Sequence, residues 1–301
     1  MTLSVHVRVP ATSGNLGPGF DTLGMAYGLH DDVTATLSGA GTEISVSGEG
    51  EADIARDDTN LVVRALRHTW DLLGVPQRGI KLESKNRIPH GRGLGSSAAA
   101  VVAGILSAAA LAEVAFPTAR ALEVATEFEG HPDNVAPALY GGAVLTWVES
   151  GHPTAVKLAL NPEISPTLLV PTTILATKTA RAILPSQVPH VDAAFNLSRA
   201  ALLTVALTAT PESLFPATAD RLHQQYRASA MADSAEMVNA LRELGVPAVI
   251  SGAGPTVLVL GTRDFDQKIT ACVASSAVKW RVLRPGVDNQ GAIVAQSFPK
   301  A

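Results

Sequence analysis

Short runs in which apolar or β-branched residues alternate with polar ones cover residues 3–10, 31–38 and 42–48, each broken by Gly, Pro or Asp, and predict strands. The period then lengthens. In LVVRALRHTWDLLG the apolar positions recur at helical spacing, between the capping residues Asp57-Asp58-Thr59-Asn60 and the stop signals Gly74 and Pro76. IKLESKNRIP reads as a strand ended by Pro89, and helices are predicted from Ser97 to about Ala115 and from Thr118 to about Phe128. EGHPDNVAPALYGG reads as a loop and GAVLTWVES as a strand. The Pro-punctuated stretch from Asn161 to Pro166 marks a domain boundary, dividing residues 1–160 from 161–301. Beyond it come the strand TLLVPTT, a helix in SRAALLTVALTA, a polar helix near Ala219 to Tyr226, and the helix MADSAEMVNALRELG ending at Gly245. PAVISGAGPTVLVLG predicts two strands hinged on SGAGPT, and a terminal helix and strand complete an α+β second half.

The chain has 301 residues, 47% of them hydrophobic, enough to bury one large core or two medium ones. A net charge of -4, with 23 basic residues scattered along the sequence, argues against nucleic acid or an anionic membrane as partner and leaves small molecules. Cys272 is the single cysteine, which excludes an internal disulfide and a cysteine-rich zinc site. The N-terminal MTLSVHVRVPAT lacks the basic-then-apolar order of a signal peptide, and the low-charge run Leu94 to Leu111 is rich in Ala, Gly and Ser, which suits a buried helix better than a membrane span. The expectation is a soluble, cytoplasmic protein. The eight histidines are scattered without an H-x-x-x-H pair, so no histidine metal site is expected.

The stretch PHGRGLGSSAAA places three glycines and two serines at the start of an alanine-rich helix. The first amides of a helix have no intrahelical acceptor and the dipole there is positive, so a bare, flexible approach makes an anion site. A serine-capped tight turn is the plainer alternative, and the glycine density favours phosphate. Neither GxxxxGK[ST] nor the dinucleotide fingerprint is present, so this is a third kind of phosphate loop.

PATSGNLGPGFDTLG, PHGRGLGSSAA and SGAGPT occur in the order that resembles the three motifs of the GHMP small-molecule kinases. Within that superfamily, NLGPGFD, EGHPDNVAPALYGG and TKTARAILP resemble the homoserine kinases, and the similarity runs from Val7 to about Leu260. The resemblance implies a two-domain α+β fold, a ribosomal-protein-S5-domain-2-like part over 1–160 and a ferredoxin-like part over 161–301, with the active site between them. It implies ATP-dependent phosphorylation of L-homoserine on the way to threonine, with Mg²⁺ as the metal and a homodimer as the possible assembly. Pro89, His90, Gly91, Arg92, Gly93, Leu94, Gly95, Ser96, Ser97, Ala98 and Ala99, with Asn60, would then surround the nucleotide. Asn15, Asp21, Asn134, Arg181 and Arg227 would surround the amino acid, with Asn134, Ser97 and Arg181 taking part in the chemistry.

Ser97 would hold the metal together with a carboxylate, for which two placements compete. The E-x-E-G pattern picks Glu129, whereas counting back from Asn134 without gaps picks Glu123, one helical turn from Glu127. Asp21 suits an ammonium, the arginines suit a carboxylate, and Asn134 suits the δ-hydroxyl. An amide cannot act as a base, so Asp133 and His131 are expected to order the loop and the hydroxyl proton to leave late. Gln225 stands where relatives often have proline, which bears on the pose of Arg227. Two rival readings remain: a GHMP kinase for another small alcohol, and a non-catalytic protein of this fold.

Overall fold

The computed structural model describes residues 3–297 and contains two sheets. The first is built from β1 (Ser4–Gly14), β2 (Leu23–Ser38), β3 (Thr42–Gly48), β4 (Gly79–Asn86), β5 (Ala143–Glu149) and β6 (His152–Leu158). β1 and β2 are longer than their alternating segments. Residues 9–14 of β1 and 23–27 of β2 are buried without interruption, so the two-residue period that marks a half-exposed strand is lost there. The outer half of β2 pairs with β4 and its inner end with β5, which brings the Gly14 end of β1 to the centre of the molecule. β6 escapes the pattern because its residues are largely exposed and include Pro153. It forms a hairpin with β5 through Ser150 and Gly151, both at positive φ, the conformation of a two-residue turn.

Three helices pack behind this sheet: α1 (Leu61–Leu72), α2 (Ser96–Leu111) and α3 (Thr118–Glu129). α2 touches β1 and β2 on one side and α1 and α3 on the other, and it is apolar almost all round, as a central helix must be. The segment predicted as a loop after α3 contains a further short helix, α4 (Val135–Tyr140). Residues Val135 to Leu139 are all buried, so six residues carry no amphipathic period to read.

The second sheet follows the Asn161–Pro166 stretch. It comprises β7 (Thr167–Pro171), β8 (Ala248–Ile250), β9 (Val257–Val259) and β10 (Trp280–Leu283), all antiparallel in the order β10-β7-β9-β8. That order, with helices between β7 and β8 and between β9 and β10, is ferredoxin-like. The helices are α5 (Thr177–Ala182), α6 (His190–Thr208), α7 (Leu214–Ala217), α8 (Gln224–Arg227), α9 (Ala232–Glu243) and α10 (Asp266–Ser275). The polar helix expected near Ala219 to Tyr226 shrinks to α8. The Asp220 carboxylate takes the amides of Leu222, His223 and Gln224, turning the chain before a helix can start. α6 is long and apolar enough in composition to cross a membrane, yet Leu203, Ala206 and Leu207 lie in the core and Asn196 donates to the Pro18 carbonyl at 2.8 Å. After β10 the chain returns to the first sheet, where β11 (Ile293–Ser297) pairs antiparallel with Ser4–Arg8 of β1.

Asp31 of β2 is buried, and one of its oxygens, Oδ1, accepts both the Arg87 amide at 2.6 Å and the Ile88 amide at 2.9 Å. Burial pushes its carboxyl up to about 6. An unfolded carboxyl ionises near about 3.9, so folding disfavours the charged form. Below about pH 4 both states are protonated and the group costs nothing; the cost grows from about pH 4 to 6 and is complete above, at about 3 kcal/mol. Asp31→Asn keeps the accepting oxygen and removes the charge. The variant is therefore expected to exceed the parent in stability at pH 8 by about 1–3 kcal/mol and to match it near pH 4. Denaturant unfolding at both values checks this, and a variant less stable at pH 8 would make the carboxylate stabilising.

Candidate active site

The glycine-rich loop meets α2 at Gly95, which is left-handed at φ 68° and leaves the helix without a side-chain cap. A Cβ there would lie 2.0 Å from the Thr12 hydroxyl. Gly93, at φ 71°, would meet the Ser251 carbonyl at 2.2 Å. Glycine is thus demanded twice over, by backbone angle and by loops pressing from β1 and from the β8–β9 turn. The first amides of α2 are left facing a cleft, the arrangement that binds anions.

Two cavities open on either side of this helix end and share Ser96 and Ser97. The first, about 260 Å³, is lined by Asp31, Asn60, His90 and Ala99 among others. Asn60 caps α1 through Val62 at 3.0 Å, and burial lowers the basicity of His90. The second, about 160 Å³, is lined by Asn15, Gly91, Gly93, Gly95, Glu129, Asn134, Arg181 and Arg227 with their neighbours. Pro89, Arg92, Leu94 and Ala98 line neither. Leu94 and Ala98 are core residues, and the Arg92 guanidinium is turned onto the carbonyls of His90, Pro171 and Thr172.

Ser97 donates to Glu129 Oε2 at 2.9 Å, so these two meet at the cavity wall. Burial raises the Glu129 carboxyl above its usual range. Glu123 is held away from them by Arg120 at 2.5 Å and His152 at 3.3 Å, and Glu127 is exposed near His68.

Arg181 lines the other wall and forms a bidentate pair, at 2.5 and 3.2 Å, with Asp21, which itself lines neither cavity; each is about a third exposed. The Asn15 amide is engaged with the loops: it donates to the Gly252 carbonyl at 2.8 Å and accepts the Asp21 amide at 2.9 Å. Arg227 is buried, its Nε on the Ala180 carbonyl at 3.0 Å and Nη1 on His223 at 3.2 Å, and burial lowers its basicity. Among the described residues no acceptor takes up its Nη2. The Phe20 ring lies under both guanidiniums, 5.7 Å from Arg181 and 5.6 Å from Arg227.

Asn134 lies between the two walls. Its Oδ1 accepts the Thr12 hydroxyl at 3.0 Å, which turns the amide so that its NH₂ donates to Asp133 Oδ1 at 3.4 Å and keeps one further N–H. One Asp133 oxygen contacts His131 Nδ1 and takes the Asn134 side-chain N–H, and the other accepts the Asn15 backbone amide at 3.0 Å. Burial opposes charging of His131, but the Asp133 contact outweighs it and raises the imidazole above its usual range. The third motif acts as a clasp, with Ser251 bridging Ser13 and the Gly93 carbonyl, both at 2.5 Å. Thr12, Ser13, Phe20, His223 and Ser251 were not singled out from the sequence. Four of them sit inside or beside the quoted motifs, and that proximity was the available signal.

A two-sheet α+β molecule with an uncapped glycine-led helix between two cavities has the architecture of a GHMP small-molecule kinase. The GHMP kinases N terminal domain model matches residues 60–142, which span α1, the glycine-rich loop and α4. A homoserine kinase from Streptomyces coelicolor is 52% identical over 97% of this chain and 94% of its own length. The crystal structure of homoserine kinase from Cytophaga hutchinsonii is 29% identical, with a TM-score of 0.85 over 97% of each chain. Mevalonate diphosphate decarboxylase from Staphylococcus aureus, at 13% identity and a TM-score of 0.69, shares the fold. The chain belongs to the homoserine kinase family.

Thr12 has no substrate-facing role in this geometry, yet it sets the orientation of Asn134. Thr12→Val keeps the shape and strands Asn134 Oδ1 without a donor, a loss of about 1–3 kcal/mol in stability. Turnover should fall by roughly tenfold or more as the amide is freed to flip, with nucleotide affinity unchanged. Steady-state kinetics with nucleotide titration test it, and full turnover in the variant would remove Thr12 from this role.

Proposed function

We propose that the cleft transfers the γ-phosphoryl group of ATP to the δ-hydroxyl of L-homoserine, releasing O-phospho-L-homoserine and ADP. One observation carries the reading: an uncapped helix end lies between a nucleoside-sized cavity and a second cavity lined by the Arg181 and Arg227 guanidiniums, with Asp21 paired to Arg181. The amides of Ser96 and Ser97 would hold phosphate oxygens, and the position of these two residues on both cavities supports a transfer between them.

The Ser97 hydroxyl and Glu129 carboxylate are hard oxygen donors meeting at the cavity wall, a set that fits Mg²⁺. When bound, the ion would neutralise phosphate charge. Asp21 would take the substrate's ammonium, and Arg181 with Nη2 of Arg227 its carboxylate. Asn134 would donate to the δ-oxygen through its NH₂. Asn134 is an amide and the Asp133 oxygens are engaged by His131, Asn134 and Asn15, so this reading gives neither the role of base, and the hydroxyl proton passes to solvent or a phosphoryl oxygen as the new O–P bond forms. A soluble, cytoplasmic setting, where ATP is available, belongs to the same reading.

Purified protein supplied with Mg-ATP and, separately, homoserine, serine, threonine, mevalonate or shikimate should release ADP appreciably with homoserine alone. Preference for another alcohol, or no turnover with any, would sink the reading. Asp21→Asn should weaken homoserine binding by roughly tenfold, the modest figure reflecting partial exposure of the pair, and leave ATP binding intact. Unchanged homoserine binding in that variant would take Asp21 out of the clamp.

A further inference from the structure

His223 stands outside every motif discussed above, yet it is completely buried between the two loops that carry the amino-acid clamp. Its Nε2 lies 2.8 Å from the Gly17 carbonyl, and its Nδ1 lies 3.2 Å from Arg227 Nη1. A carbonyl only accepts, so Nε2 carries the hydrogen. A guanidinium only donates, so Nδ1 is bare. One neutral tautomer satisfies both contacts, whereas an imidazolium would satisfy the first and set two positive charges against each other at the second.

The neighbourhood leaves His223 little freedom to do anything else. Phe20 packs on the imidazole with ring centroids 5.2 Å apart and also underlies Arg227. Asp220 Oδ2 is 3.7 Å from Nε2, but that oxygen already accepts the His223 and Gln224 amides. Arg227 is then held at two points, Nε on the Ala180 carbonyl and Nη1 on His223, which orients the guanidinium plane and leaves Nη2 for a ligand. Gly17 belongs to the loop that also carries Asp21, so the imidazole couples the ammonium side of the clamp to its carboxylate side.

We propose that His223 is the positioning residue for carboxylate recognition: as a neutral imidazole strung from the Gly17 carbonyl to Arg227, it fixes the guanidinium that meets the substrate's carboxylate. The inference rests on the reading of the cleft as a homoserine site. It assigns His223 to specificity and to KM, and leaves phosphoryl transfer to the groups already described.

The test uses the whole enzyme and two substrates, L-homoserine and L-homoserinamide, whose neutral amide replaces the carboxylate. Three variants divide the contacts. His223→Leu removes both, His223→Asn offers Oδ1 in the place of Nδ1 and keeps the acceptor for Arg227, and His223→Gln keeps only an N–H towards Gly17. His223→Leu is expected to raise the homoserine KM roughly tenfold or more, with the ATP KM and kcat/KM for homoserinamide little changed, so that discrimination between the two narrows. His223→Asn should recover most of the discrimination and His223→Gln little of it. Equal losses on both substrates, an unchanged homoserine KM in folded His223→Leu, or rescue by Gln as good as by Asn would each overturn the proposal. Should His223→Leu fail to fold, the Asn and Gln variants decide by the same comparison. A parent enzyme inactive on homoserine overturns the reading of the cleft and this inference with it; an active parent with indifferent His223 variants overturns this inference alone.

Discussion

The left-handed glycine at the start of α2, pressed against the Thr12 hydroxyl, is the constraint on which the site depends. Because no side chain caps the helix, its first amides need an outside acceptor, and an anion supplies one. Because the glycine has no Cβ, β1 can come close enough for the same hydroxyl to reach Asn134 across the cleft. A single close approach therefore sets both the open amides of the helix end and the orientation of the Asn134 amide. The β8–β9 turn completes the arrangement from the other sheet, with Ser251 bonded to Ser13 and to the Gly93 carbonyl. The three loops hold one another, so none of them can be placed correctly alone.

Electrostatics divides the cleft in the same way. Burying a guanidinium is costly unless its donors are met, and Arg227 is met by a carbonyl, an imidazole and an aromatic face, with no direct carboxylate partner among the described residues. Its charge is consequently available to a ligand. Arg181 instead pairs with Asp21 near solvent, a contact that water screens. The fixed cation and the screened pair make different contributions to one pocket.

Much of the fold was legible from periodicity. α1, α2, α3 and α9, and the strands β3, β4, β5 and β7, lie where apolar spacing and stop signals put them, because each has either a solvent face or clear punctuation. The inner ends of β1 and β2 and the helix α4 were not legible, since burial on every side erases the period that distinguishes strand from helix. At the site, spacing alone left Glu123 and Glu129 both open. Contact decides where each lies: Glu129 reaches Ser97, and Glu123 is held by Arg120. Thr12 to Asn134, Ser13 to Ser251 and Gly17 to His223 are contacts between residues more than a hundred positions apart, and no local pattern encodes such a pairing.

The return of β11 to β1 bears on how the molecule comes to be folded. Ser4 to Arg8 pair on one edge with β2, a near neighbour in sequence, and on the other with a strand made almost a whole chain length later. While the ribosome works through the residues between, β2 through β6 can assemble on β1, but the far edge of β1 stays open with its amides and carbonyls unpaired. Such an edge is a template for any extended segment that meets it, including the same segment of another nascent chain. Completion of the first sheet is thus a late step, taken after the second sheet has been synthesised, and until then the open edge of β1 is exposed to mispairing.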